Sequence, residues 1–164
     1  MRLRKFGNAS CALATVLLFS GAVVTRAASL KTDDQHREAV KALRDIKADA
    51  GQVRLAAMSL NALTKESHVR WLDYDKQWNE IKPAVEDMDI KLSRLERMQA
   101  TLSPAEREDL EKCRPLIQEI RRGTHDLRAL LDQSGVNLGD KKFSAEARGL
   151  LREADNLQQT VMPS

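Results

Sequence analysis

Between Trp71 and Leu102 the apolar residues Trp71, Tyr74, Trp78, Ile81, Val85, Met88, Leu92, Leu95 and Leu102 recur at alternating steps of three and four, with Gln99 as the one polar break. That spacing puts all of them on one stripe of an α-helix of about nine turns. A lone helix cannot keep such a stripe from water, so other segments of the chain must cover it. Three do repeat the pattern. Ala39, Leu43, Ile46, Ala50, Val53, Ala57 and Leu60 form one seam, widened by Val40, Ala42, Ala56 and Leu63. Leu110, Cys113, Ile117, Ile120, Thr124, Leu127 and Leu131 form another, and Phe143, Ala147, Leu150, Ala154, Leu157 and Val161 a fourth. No segment alternates with period two, so strands are not expected.

The punctuation between the seams sets the boundaries. Thr32-Asp33-Asp34-Gln35 reads as a capping box with acids in the first turn. Thr64-Lys65-Glu66-Ser67 breaks the pattern, and Ser67 can cap the second helix. In Leu102-Ser103-Pro104-Ala105-Glu106, Ser103 caps, Pro104 takes the first helical position and Glu106 closes the box. Ser134-Gly135 ends the third helix, and 136–142 with Gly139 and Asp140 is a loop. Helices are therefore expected over about 33–64, 68–101, 104–133 and 141–162. Pro83 and Pro115 fall inside the second and third and should bend them. Gly51 and the alanines make the face of the first helix shallow, so a neighbour can approach closely. The expected fold is all-α, an up-down-up-down four-helix bundle with the shallow crossing angles of coiled-coil packing. The surface charge reads as a solvated face without a designed pattern of i, i+4 pairs.

The start of the chain bears on where this bundle works. Met-Arg-Leu-Arg-Lys is followed by an apolar run from Cys11 to Val24 and then by Thr25-Arg26-Ala27-Ala28-Ser29. A basic start, a short apolar run and small residues after it are the pattern of a secretory signal peptide. The run is short for a bilayer span, which needs about 20 residues. Cleavage is expected after Ala27, with Ala28 and Ser29 as alternatives, so 1–27 is read as signal and 28–164 as the bundle. No membrane span is expected to remain after cleavage, and the location is the periplasm or the extracellular space.

Four of the 27 basic residues, Arg2, Arg4, Lys5 and Arg26, and none of the 24 acids precede that cut, which leaves 23 against 24 and a net charge of −1. The high pI thus belongs mostly to the signal, and composition gives nucleic acid no support as a partner. Cys113 is then the only cysteine, so packing alone must hold the fold; its place in the third seam reads as a small buried apolar group.

Few residues carry chemistry. No nucleophile triad, zinc-protease helix, phosphate loop or calcium loop stands in the sequence, and an enzyme is not expected. His36, His68 and His125 share no helical turn, and Asp73 and Asp75 flank Tyr74 without facing one site, so neither metal nor other cofactor is expected. The residues singled out are the aromatics Trp71, Tyr74, Trp78 and Phe143. Up-down topology brings them to one end of the bundle, either as a plug in the core or as a contact for a partner or an apolar ligand.

Three resemblances can be stated on particular residues. Trp71-x-x-Tyr74, Trp78-Asn79-x-Ile81-Lys82, Val85 and Met88 resemble a stretch of uncharacterised exported helical proteins of soil bacteria, a likeness that covers most of the mature chain and implies no activity. Leu102-Ser103-Pro104-Ala105-Glu106-Arg107 resembles the Leu-Thr-x-x-Gln motif of the periplasmic stress chaperones of the Spy and CpxP type, with Ser for Thr, Glu for Gln and no second copy; it would imply a helical cradle for unfolded clients. In topology and size alone the chain resembles exported four-helix cytochromes, whose axial His and Met would fall on His36 and Met162 with the two helices exchanged. The expected function is an exported, non-catalytic bundle of the cell envelope with a structural or protein-interaction role, with self-association left open. The alternative is a periplasmic chaperone or a carrier of small apolar ligands.

Overall fold

The computed structural model describes the backbone of residues 21–66, 70–133 and 141–160, and the side chains within those ranges from residue 33 onward. It contains α1 (Gly21–Leu63), α2 (Trp71–Arg97), a single 3-10 turn (Gln99–Thr101), α3 (Pro104–Asp132) and α4 (Lys141–Thr160). Among the described residues there is no strand. α1 packs along α2 and α4, α3 along α4 and more lightly along α2, and α1 meets α3 only sparsely across the diagonal.

Cross-helix pairs fix the directions. Glu38 pairs with Arg94 and Asp49 with Lys91, so α1 and α2 run antiparallel. Arg114 meets Glu96 at 2.9 Å, Arg121 meets Asp89 at 3.9 Å and Arg128 meets Asp75 at 3.6 Å, so α2 and α3 do too. Phe143 at the start of α4 touches Tyr74 at the start of α2, while Gln158 near its end lies against Gly51 of α1. The four helices therefore alternate in direction.

All four seams close on one core. Ile81, Ile120, Leu150, Ile46, Leu110 and Leu157 are among the buried residues, and every described member of the α1, α3 and α4 seams is buried. Burying a leucine or isoleucine contributes about 1.5–3 kcal/mol, so this apolar sheaf is the main source of stability. A β-carbon on Gly51 would stand 3.0 Å from Gln158 Nε2, so the glycine makes room for the amide end of that α4 side chain.

Several boundaries differ from the sequence reading. α1 does not begin at Thr32 but runs unbroken from Gly21, since no proline and no further glycine interrupts the chain before Gly51. Ala27 therefore lies within helical backbone, and residues 1–20 lie outside the described residues. α2 begins at Trp71, not at 68; Ser67 lies outside the described residues, and the Asp73 carboxylate instead accepts the Arg70 backbone N–H at 3.1 Å. α2 ends at Arg97, not at 101, and the 3-10 turn comes next. This explains the polar break at Gln99: the helix has already stopped there, and Leu102 regains the core after the turn. α3 ends at Asp132, one residue early, and α4 is described to Thr160, leaving Val161 and Met162 outside. Ser134-Gly135 and the loop at 136–140 are likewise outside the described residues.

The start of α3 forms as its residues predict. Glu106 Oε2 accepts the Ser103 N–H at 2.7 Å and Ser103 Oγ accepts the Glu106 N–H at 3.3 Å. The six residues likened to the chaperone motif thus serve here as a helix start. Pro83 and Pro115 stay inside continuous helices and are exposed, as are Asn79 and Glu111, whose carbonyls lose their donors. Water can satisfy those carbonyls, which is why both prolines are tolerated.

The charged surface is more ordered than a merely solvated face. Lys82–Glu86, Lys91–Asp87, Lys112–Glu108 and Arg128–Asp132 are i, i+4 pairs. Arg114, Arg121 and Arg128 stand seven residues apart and bridge α3 to α2.

Candidate functional site

The four aromatics do not share one environment. Tyr74 and Phe143 are buried and meet edge to face, with ring centroids 5.4 Å apart and planes at 81°. That geometry sets the positive ring edge against the negative face and adds about 0.5–1.5 kcal/mol to area burial. Burial pushes the Tyr74 hydroxyl pKa up, and the Glu66 carboxylate adds to the effect. Trp78 is also buried, and the Arg128 guanidinium lies 5.6 Å from its ring centroid. Arg128 is held there by Asp132 at 2.8 Å and by Asp75 at 3.6 Å. These three rings close one end of the core.

Trp71 departs from its seam and is 42 % exposed. It is the first residue of α2, on the side where Asp75 meets Arg128 of α3, and α3 ends at Asp132. Leu72 beside it is 64 % exposed. Leu72 lies outside the three-four series, about 100° round the helix from Trp71, which marks it as outward-facing; Trp71 keeps the series, so its exposure carries no such mark.

An open groove of about 490 Å³ runs between the end of α1 and the start of α2, with Ser59, Ala62, Leu63, Glu66, Asp73 and Lys76 among its walls; neither Trp71 nor Leu72 lines it. Its lining mixes two carboxylates and an ammonium with two apolar residues. Tyr74, Trp78 and Phe143 do not line it.

The other residues weighed from the sequence lie apart. His36 Nδ1 sits 2.8 Å from Glu106 Oε1 at the opposite end, an approach without hydrogen-bond geometry, since Glu106 Oε1 is buried with no hydrogen-bond partner. Its proposed axial counterpart Met162 lies outside the described residues, as does His68. His125 is exposed beside Asp126. Among the described residues no group of three or more His, Cys, Asp or Glu side chains is placed to hold a metal ion, and no helix is long and apolar enough to cross a membrane.

Cys113 is fully buried in the α3 seam. Burial, reinforced by Asp109 and opposed by Lys112, pushes its thiol pKa up to about 12. Only the thiolate attacks, so the chain without residues 1–27, and hence without Cys11, should leave a thiol reagent at neutral pH almost unconsumed. Unfolding this chain in denaturant should release one equivalent of fast-reacting thiol. A stoichiometric reaction under native conditions within minutes would contradict this burial.

Comparisons of the chain with protein-family models, with curated proteins and with solved structures return no match.

Proposed function

We propose that the mature chain is an exported, non-catalytic helical-bundle protein of the cell envelope that works by contacting another protein, with Trp71 and Leu72 as its contact residues. The observation that carries this reading is the division of the aromatics. Tyr74, Trp78 and Phe143 are spent on the core, while Trp71 and Leu72 stand uncovered side by side at the α1–α2 end. Tryptophan buries a large area at small entropic cost, and it is among the residues that dominate interface energies. Export rests on the basic start, the apolar run of 11–24 and the small residues after it.

Capture of envelope proteins on the tagged chain, followed by mass spectrometry, tests the contact. One defined partner should be enriched by the wild type and lost, by about tenfold or more, with Trp71→Ala and Leu72→Ser together. Full retention by the double variant would remove these residues from the interface. Stoichiometric suppression of a client's aggregation, with no defined partner, would favour the chaperone alternative. A mass for the envelope form that still includes residues 1–27 would refute processing after Ala27.

A further inference from the structure

The exposed charges are distributed unevenly around the bundle. α2 and α3 together expose eight cations and nine carboxylates. From Arg37 to its end, α1 exposes Arg37, Lys41 and Arg44 and no carboxylate; α4 exposes Lys141, Lys142, Arg148 and Arg152 and no carboxylate. The acids of these two stretches are half-buried or buried, and Glu38, Asp49 and Glu153 each already carry a cationic partner. Asp33 and Asp34 are exposed one turn upstream of this stretch. Since α1 and α4 are packed neighbours, their outward faces form one side of the molecule.

The outward stripe of α1 has a second property. At 100° per residue, Arg37, Lys41, Arg44, Leu55, Met58 and Ala62 fall within roughly 60° of one direction. All six are exposed, with Leu55 at 53 % and Met58 at 48 %. Counting seven residues along each antiparallel helix from the Gly51–Gln158 contact brings Met58 opposite Leu151, with Arg148 and Arg152 outward beside it. The exposed apolar side chains thus stand beside the α4 cations, with Arg44, Lys41 and Arg37 further along the same stripe of α1, the nearest about 16 Å from Leu55.

We propose that this α1/α4 side docks on an anionic lipid leaflet. Two antiparallel helices about 8–10 Å apart present a flat surface, and a leaflet is flat. Cations meet the headgroup charge while Leu55 and Met58 reach the headgroup–acyl boundary, the division of labour seen in interfacial helices. A polyanion such as nucleic acid would take the cations but has no apolar layer to receive those two side chains. The site lies on a different face from Trp71, so neither reading depends on the other.

The test is co-sedimentation of the purified full-length chain with vesicles of phosphatidylcholine alone and of phosphatidylcholine mixed with phosphatidylglycerol. The apolar run of 11–24 and the cations Arg2, Arg4, Lys5 and Arg26 are common to every variant, so the readout is the change on substitution in the ratio of the two partition coefficients. Each cation near an anionic leaflet contributes roughly fivefold, so Arg37→Glu, Lys41→Glu and Arg44→Glu together should lower the ratio about a hundredfold, and Trp71→Ala should leave it unchanged. Lys82→Glu, Lys112→Glu and Arg122→Glu together make the same change in net charge on α2 and α3 and should keep most of the preference; circular dichroism establishes that both triple variants are folded. The proposal is overturned by equal partition of the wild type into both vesicles, by an equal loss in the two triple variants, or by retention of binding only to heparin or DNA.

Discussion

Phe143→Ala is expected to cost about 3–5 kcal/mol of folding stability, seen as a fall of more than about 10 °C in the thermal midpoint. Phe143 has no exposed surface, sits in the first turn of α4, and is the ring that Tyr74 meets edge to face. Its removal leaves a void at the end of the core and strips Tyr74 of its partner. The α2 and α4 backbones can collapse only partly to fill that void, because both are held along their length by other seam residues. A single domain of this size has about 5–15 kcal/mol in total, so the variant should be close to its limit at growth temperature. Trp71→Ala is the control. With 42 % of its surface already in water, the loss should be within about 1 kcal/mol. If the two substitutions cost the same, the division of the aromatics between core and surface is wrong.

Lys91→Met is expected to destabilise the protein by about 2–4 kcal/mol at neutral pH, through the carboxylate it abandons. Lys91 Nζ donates to Asp49 Oδ2 at 2.6 Å and to Asp87 Oδ2 at 3.1 Å, and Asp49 is buried between α1 and α2. Burial raises the Asp49 pKa and outweighs the lowering by Lys91. On Lys91 burial works the other way, but the hydrogen bonds it donates to Asp49 and Asp87, with their negative charge, win and its pKa is raised. The signs differ in consequence. A carboxyl group raised in the folded state binds protons more readily there than in the unfolded chain, so its burial penalty is present at neutral pH and is relieved as pH falls through the folded value. The raised ammonium contributes stability that is whole below its unfolded pKa and is lost as pH rises through the folded one.

The Lys91→Met deficit should therefore shrink as pH drops from 7 towards 4, because a protonated Asp49 no longer needs a cation. As pH rises beyond 10.5, the ordinary lysine value, and through the raised folded one, the wild type should approach the variant. Adding Asp49→Leu to Lys91→Met should recover most of the loss, since two apolar groups can replace a buried pair at little cost. Urea denaturation at about pH 4.5, 7 and 11.5 measures all of this. A deficit independent of pH would mean that lost packing, rather than the stranded carboxylate, is responsible.

How far the chain could be read without coordinates differs from feature to feature. The four stripes, their order and the helix start at Ser103-Pro104-Ala105-Glu106 are local matters. Periodicity of three and four depends only on helix geometry, and a capping box closes within four residues, so both are legible in one dimension. Gln99 shows how fine that record is, since the one polar residue in the longest stripe marks where α2 gives way to a 3-10 turn. Even the thiol of Cys113 could be assigned to the core by its place in a seam.

Coverage and pairing between helices needed the assembled bundle. Trp71 obeys the seam spacing as well as Tyr74 does, yet a side chain is hidden only if a neighbour extends far enough to hide it, and Trp71 at the first position of α2 stays 42 % exposed. Asp49–Lys91 and the arginines at 114, 121 and 128 join residues 18 to 53 positions apart, so neither partner announces the other along the chain. The gathering of exposed cations on α1 and α4 has the same origin. Each helix near neutrality can still place its acids inward and its bases outward, and only the packing of α1 against α4 turns two such faces into one side of a molecule.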